Sequence, residues 1–190
     1  MAEPADDAAP TYLRAQRYVA DRVTTALQSI PVVDVERAVR VLAQAPEIFV
    51  YGAGRSGIIG RAFAMRLVQT GLTAYVIGES VTPIVKKGDA VFIFSGQGES
   101  YSSIQTANIV RREGADLVVL TAKASSKLAH TATVLLSLEF AEESDRARYA
   151  PLGTLFEAAS LRLTDGIIAE LMAVRGESEA SMRRRHAIMV

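Results

Sequence analysis

The stretch Ala90-Val91-Phe92-Ile93-Phe94-Ser95-Gly96-Gln97-Gly98-Glu99-Ser100 passes from an apolar run to small polar residues, and Ile104, Ala107, Ile109 and Val110 follow it at helical spacing. It reads as a buried strand, a tight loop and a helix. Such a loop leaves several backbone N–H groups without partners, and with the positive end of the helix dipole they favour an anion. The hydroxyls of Ser95 and Ser100 add hydrogen bonds that a phosphate accepts. Glycine and serine turns between strand and helix are common in α/β proteins, so one loop decides little. A second loop of the same kind, Gly52-Ala53-Gly54-Arg55-Ser56-Gly57, follows the run Ile48-Phe49-Val50-Tyr51 and strengthens the reading.

Working outward, Glu47–Tyr51 is a strand and a helix runs from about Gly57 to Thr70, with Gly71 at its end. Ala74–Ile77 is a second strand, and Lys87-Gly88-Asp89 is a turn before the third, Ala90–Phe94. The helix after the serine loop runs to Glu113 and Gly114 stops it. Asp116–Thr121 and Thr133–Leu138 are the fourth and fifth strands. Their continuous apolar character predicts strands covered on both faces. Alternating strands and helices predict a doubly wound parallel sheet, in which ligands lie beyond the carboxyl ends of the strands. Both glycine loops fall at such ends.

Before the first strand, Leu13, Val19, Val23, Leu27 and Ile30 mark a helix ended by Pro31. Asp34 is placed to cap the next one, which carries Val35, Ala38, Val39 and Leu42 and stops before Pro46. These helices read as packing or subunit-contact elements. Residues Met1 to Pro10 read as a frayed tail, and 11–190 as one domain. After Ala141 the run Glu142-Glu143-Ser144-Asp145-Arg146-Ala147-Arg148 reads as a charged linker. A helix then opens at Thr154 and ends near Arg175-Gly176, followed by a short basic segment from Ser178 to His186.

Of 190 residues, 49% are hydrophobic and 22% charged, the composition of an ordinary globular protein. Lys and Arg together number 21, as do Asp and Glu, so no net field draws nucleic acid or an anionic membrane. Cysteine is absent, which removes disulfides, thiolate metal sites and a thiol nucleophile. With two histidines, His130 and His186, a histidine-rich zinc site is excluded, whereas a carboxylate-held Mg²⁺ is not. No run approaches the ~18 apolar residues that span a bilayer, and Met1-Ala2-Glu3-Pro4 does not open a signal peptide. The expected location is the cytoplasm.

Glu157 is the leading candidate for chemistry. Thr154-Leu155-Phe156-Glu157 fits a capping box, so the residue has a structural reading beside its reading as a general base partly desolvated by Leu155 and Phe156. Arg55 is a phosphate clamp or a salt-bridge partner. Glu99 reads as a helix N-terminal carboxylate, and His130 as a surface residue. His186, after Arg183-Arg184-Arg185, reads on its own as a solvated side chain.

Taken together, Val50-Tyr51-Gly52-Ala53-Gly54-Arg55-Ser56-Gly57, Gly78-Glu79-Ser80-Val81-Thr82-Pro83 and Ser95-Gly96-Gln97-Gly98-Glu99-Ser100 resemble the sugar isomerase (SIS) domain in order and spacing. Gly52-Ala53-Gly54-Arg55-Ser56 with Phe63-Ala64-Met65-Arg66-Leu67 after it, the loop from Gly78-Glu79 to Thr82-Pro83, and Pro151-Leu152-Gly153-Thr154-Leu155-Phe156-Glu157 are similar to the 6-phospho-3-hexuloisomerase family within it, as is the ending Arg185-His186. The resemblance covers about residues 11–190. It implies a five-stranded parallel sheet in a flavodoxin-like three-layer sandwich with extra N- and C-terminal helices, usually as a homotetramer. It implies interconversion of D-arabino-3-hexulose 6-phosphate and fructose 6-phosphate in the ribulose monophosphate pathway of formaldehyde assimilation, with no metal or organic cofactor. Carried onto this chain, the hydroxyls of Ser56, Ser95 and Ser100 hold the sugar phosphate, within loops to which Gly54, Arg55, Gly96, Gln97, Gly98 and Glu99 belong. Glu157 matches the catalytic base, and His186 a histidine delivered by a neighbouring subunit. Gln97 stands where related loops often have Ser, which lowers the hydroxyl count, although an amide donates two hydrogen bonds.

Two other functions are weighed against this one. A sugar-phosphate sensor of this fold normally carries a DNA-binding module, for which the N-terminal helices are too few and the chain too neutral. Another aldose–ketose phosphosugar isomerase is separated only by the Gly-Thr-Leu-Phe-Glu segment and the C-terminal features.

Overall fold

The apolar runs form five parallel strands, β1 (Ile48–Gly52), β2 (Ala74–Val76), β3 (Ala90–Phe94), β4 (Asp116–Thr121) and β5 (Val134–Ser137), in the order β2-β1-β3-β4-β5. The computed structural model describes residues 9–188. The helices are α1 (Thr11–Gln28), α2 (Val32–Gln44), α3 (Arg55–Gln69), α4 (Tyr101–Glu113), α5 (Arg146–Tyr149), α6 (Thr154–Arg175) and α7 (Glu179–Arg184). Every residue of β3 is buried, as a central strand covered on both faces requires.

One face of the sheet packs Ile48, Val50, Phe92, Phe94, Val118 and Leu120 against α2, α3 and α6, through side chains such as Leu42, Phe63, Leu67, Ile167 and Leu171. Phe63 meets Phe92 edge-on at 5.1 Å between ring centroids, and Phe92 lies 4.7 Å from Phe94. The other face packs Phe49, Val91, Ile93, Leu117 and Val119 against Ala107 and Val110 of α4. Helix α1 lies outside this layer, against α5 and α6. The connection from β2 to β3 contains no helix; it closes with the expected turn, in which the Lys86 N–H donates to Asp89 Oδ2 at 2.7 Å.

Because α3 follows β1 onto one face and α4 follows β3 onto the other, the chain diverges between two neighbouring strands. That is the switch point at which open α/β sheets form a crevice. Gly52 pairs with Phe94, so both glycine loops leave the sheet at the same level, side by side.

Several local expectations are corrected. Asp34 does not cap α2. The helix starts three residues earlier than that cap implies, at Val32 behind Pro31, and Asp34 sits in the first turn, 3.6 Å from Arg37 Nη1. Helix α3 starts at Arg55 rather than Gly57, because Gly54 turns the chain with φ 59° and ψ −132°, a combination that only glycine adopts readily. The capping box at Thr154 and Glu157 does not form: the Thr154 hydroxyl donates to Pro151 O at 2.7 Å, and Glu157 has another partner. Glu99 stands in the loop just before the N-cap Ser100, at the N-terminal end of α4 as expected, and its carboxylate accepts from the Lys127 N–H at 3.3 Å. The charged linker is not wholly irregular, since 146–149 form the short helix α5.

The tail expected at Met1–Pro10 lies mostly outside the described residues; Ala9 is buried and Pro10 precedes α1. The closing segment docks against the C-terminal end of α3. Arg175 donates to Thr70 O and Gly71 O, and Arg185 to Gln69 O at 3.1 Å, so arginines satisfy carbonyls that the helix leaves open. No helix among the described residues is long and apolar enough to cross a membrane.

Candidate functional site

The loop after β1 needs glycines because strand end and helix start are in backbone contact. A Cβ on Gly52 would lie 2.7 Å from the Ser56 carbonyl carbon, and one on Gly57 would run into Gly52 O. This closeness aims the first turn of α3 across the sheet edge. Among the described residues, the N–H groups of Ala53, Gly54, Arg55 and Ser56 have no protein acceptor.

The loop after β3 is held from behind. Ser95 N–H donates to Leu120 O at 3.0 Å, Ala122 N–H to Gly96 O at 2.9 Å and Leu128 N–H to Gly98 O at 3.1 Å. Gly98 has φ 63°, and a Cβ there would collide with the Ser126 hydroxyl. The last two bonds use the loop's carbonyls, and the N–H groups of Gly96, Gln97, Glu99 and Ser100 are unpaired among the described residues. The hydroxyls of Ser56 and Ser95 likewise have no partner among them, whereas that of Ser100 is 3.0 Å from the Ser102 hydroxyl. Two rows of donors therefore stand side by side at one edge of the sheet, which is the geometry an anion requires.

The first turn of α6 closes the space in front of them. Phe156 packs on the second loop so tightly that a Cβ on Gly96 would lie 3.2 Å from its ring. This contact sets Glu157 beside the loops, with its side chain 12% exposed. Its Oε2 accepts from Arg55 Nε at 2.6 Å, across 102 positions of sequence. The carboxylate also leans over Gly153, where a Cβ would stand 2.8 Å from Oε1. Ser56, Gly96, Gln97, Gly153, Phe156 and Glu157 share one cleft of about 750 Å³.

Two cations of this cleft escaped the sequence reading. Lys123 follows β4, and Arg146, on α5, donates to Leu152 O at 3.4 Å. The position of Lys123 past the end of an apolar strand was the available signal; Arg146 was hidden in a run that reads as solvated charge. Leu152, also in the cleft wall, holds φ 58°, a strained value for a bulky residue of the kind found at functional edges.

His186 is not in this cleft. It follows Arg185 at the C-terminal end of α3, whereas Arg55 begins that helix, and its Nδ1 lies 2.8 Å from Ala187 O. Fifteen residues of helix separate the two ends by about 22 Å. His130 is exposed, as expected.

A 2-1-3-4-5 parallel sheet with two rows of unpaired amides at its switch point makes this chain a three-layer α/β protein with a crevice at the sheet's carboxyl edge. The chain belongs to the SIS-domain family, whose model matches residues 41–174. An uncharacterised protein of Archaeoglobus fulgidus is 35% identical over 93% of this chain and 99% of its own length. A 3-hexulose-6-phosphate isomerase of Methylomonas aminofaciens is 30% identical over 90% of this chain and 96% of that protein. A crystal structure from Methanococcus jannaschii, from which the function of a 3-hexulose-6-phosphate isomerase was inferred, superposes with a TM-score of 0.83 at 27% identity, over 92% of this chain and 98% of that one.

Proposed function

We propose that this SIS-domain protein is a phosphosugar isomerase whose substrate pair is D-arabino-3-hexulose 6-phosphate and fructose 6-phosphate. One observation carries the reading: a single cleft holds the Glu157 carboxylate together with residues of both glycine loops. The unpaired N–H groups and the hydroxyls of Ser56 and Ser95 bind the phosphate, and Lys123 and Arg146 add positive charge around it. Glu157 then removes the proton from C2 as the C3 carbonyl oxygen gains one. The resulting cis-enediol presents both carbons to one face, so the same carboxylate returns a proton to C3 while the C2 oxygen loses its own. Positioned acid–base catalysis contributes ~10²–10⁴-fold, and phosphate binding away from the reacting carbons holds them in place. The reading includes a cytoplasmic enzyme of the ribulose monophosphate pathway, a homo-oligomer with four subunits expected, no metal in the chemistry, and His186 working in a neighbouring subunit's cleft.

The test is direct. Purified protein with 3-hexulose 6-phosphate should form fructose 6-phosphate at the same rate with and without EDTA, and arabinose 5-phosphate should be a poor substrate. Glu157→Gln should keep sugar-phosphate affinity and lose kcat by about 10²-fold or more. Turnover near that of the wild type in this variant would take the base role from Glu157.

A further inference from the structure

We infer that Arg55 is a two-position switch, which holds the Glu157 carboxylate while the cleft lacks a phosphate and moves to the phosphate when one binds. The inference rests on the reading of the cleft given above and adds to it the way in which the base is released. Three observations meet here. Glu157 Oε2 is already engaged by Arg55 Nε at 2.6 Å, so one of its lone pairs is directed at an N–H rather than at a substrate C–H. The two side chains are unequally fixed: that of Arg55 is 74% exposed, that of Glu157 only 12%. Arg55 is also the first residue of α3, rooted among the unpaired N–H groups of Ala53, Gly54 and Ser56. A guanidinium on a flexible stem at that point reaches the carboxylate or an anion in the cradle.

The direction of the exchange follows from charge. A phosphate dianion presents more acceptor oxygens and more charge than one carboxylate, and the guanidinium fork binds it in bidentate fashion. Once Arg55 turns to the phosphate, Oε2 loses its N–H, while Gly153, which has no Cβ, leaves open the space that Oε1 occupies. The end of the sugar that does not react thereby controls the group that does. An unphosphorylated 3-hexulose meets a base still bonded to Arg55.

The experiment uses inorganic phosphate as the probe. In the full-length ¹⁵N-labelled protein, the Nε–H resonance of Arg55, assigned by its loss in Arg55→Lys, is followed with the Gly96 and Gln97 amides as phosphate is added. The inference expects all three to move together, and phosphate to raise turnover of unphosphorylated 3-hexulose on the order of tenfold, the weight of one hydrogen bond to a charged group. Arg55→Lys should lose most of that stimulation while its Gly96 and Gln97 amides still respond. If those amides respond and the Arg55 resonance stays where it was, the switch is wrong and the cradle stands. If neither responds while 3-hexulose 6-phosphate is isomerised, both the switch and the cradle are wrong. If 3-hexulose 6-phosphate is not a substrate, the proposed reaction fails, and the resonance of Arg55 alone upholds or overturns the switch.

Discussion

Gly153 supplies a seat for a carboxylate rather than freedom for the backbone. Its φ of −89° and ψ of 7° are open to alanine, yet a Cβ would stand 2.8 Å from Glu157 Oε1. Gly153→Ala should therefore fold as stably as the parent or gain up to ~1 kcal/mol from a less flexible unfolded chain. Its kcat should fall, on the order of tenfold, because the carboxylate is pushed off its place. Denaturant midpoints beside steady-state kinetics separate the two effects, and an unchanged kcat would show that the seat does not matter. Gly98 behaves in the opposite way. With φ 63° and the Ser126 hydroxyl directly in the path of a Cβ, Gly98→Ala should lose ~1–3 kcal/mol of stability in the same measurement and weaken phosphate binding. The sequence distinguished these residues poorly. Glu157 was legible as a candidate from its place after Pro151-Leu152-Gly153, but its partner was not, since a contact across 102 positions is made by the packing of two helix starts. The local rule therefore gave a capping box where the folded chain has an ion pair.

Helix α3 links the cleft to the end of the chain. Arg55 and Ser56 begin it at the cleft, and its last carbonyls are met by Arg175 and Arg185. Arg185 also forks onto Glu177, at 2.8 and 2.9 Å, and the Ser181 hydroxyl donates to the same carboxylate. The Arg185 hydrogen bond, with that of Ser181, holds the Glu177 carboxyl down from its ordinary 4.5 to about 2. A carboxyl lowered on folding stabilises the folded form above its unfolded value, and that contribution disappears as pH falls through the folded one. Docking of α7 should therefore be unchanged from neutral pH down to about 4.5 and loosen progressively towards about 2. Amide hydrogen exchange at Met182 and Arg185 reads this locally. In Glu177→Gln the two amides should exchange faster at neutral pH and lose most of the acid dependence over that window; protection equal to wild type would refute the clamp. At this scale the sequence was informative where one pattern ran for several residues. The continuous apolar runs of β3 and β4 placed those strands from end to end. It failed at α5, where four residues are too few for a period to show.

In the whole molecule, the alternation of strands and helices was enough to predict a parallel sheet, whereas the order β2-β1-β3-β4-β5 is set by pairings that no local pattern records. The same holds for the place where the closing segment docks. Arg185 is fixed at the far end of α3, about 22 Å of helix from Arg55, so His186 does not serve the cleft of its own chain in this arrangement. If it serves any cleft, that cleft belongs to another copy, and a mixing experiment decides the matter. Glu157→Gln and His186→Ala should each be nearly inactive alone. Mixed in equal amounts and allowed to exchange subunits, they should recover about a quarter of wild-type activity, because one pairing in four joins an intact Glu157 to an intact His186 across a symmetric interface. If both residues acted within one chain, every site would keep one defect and nothing would be recovered. Activity that stays at the level of the separate variants, with exchange confirmed by mass spectrometry of the hybrids, would remove His186 from the neighbouring cleft.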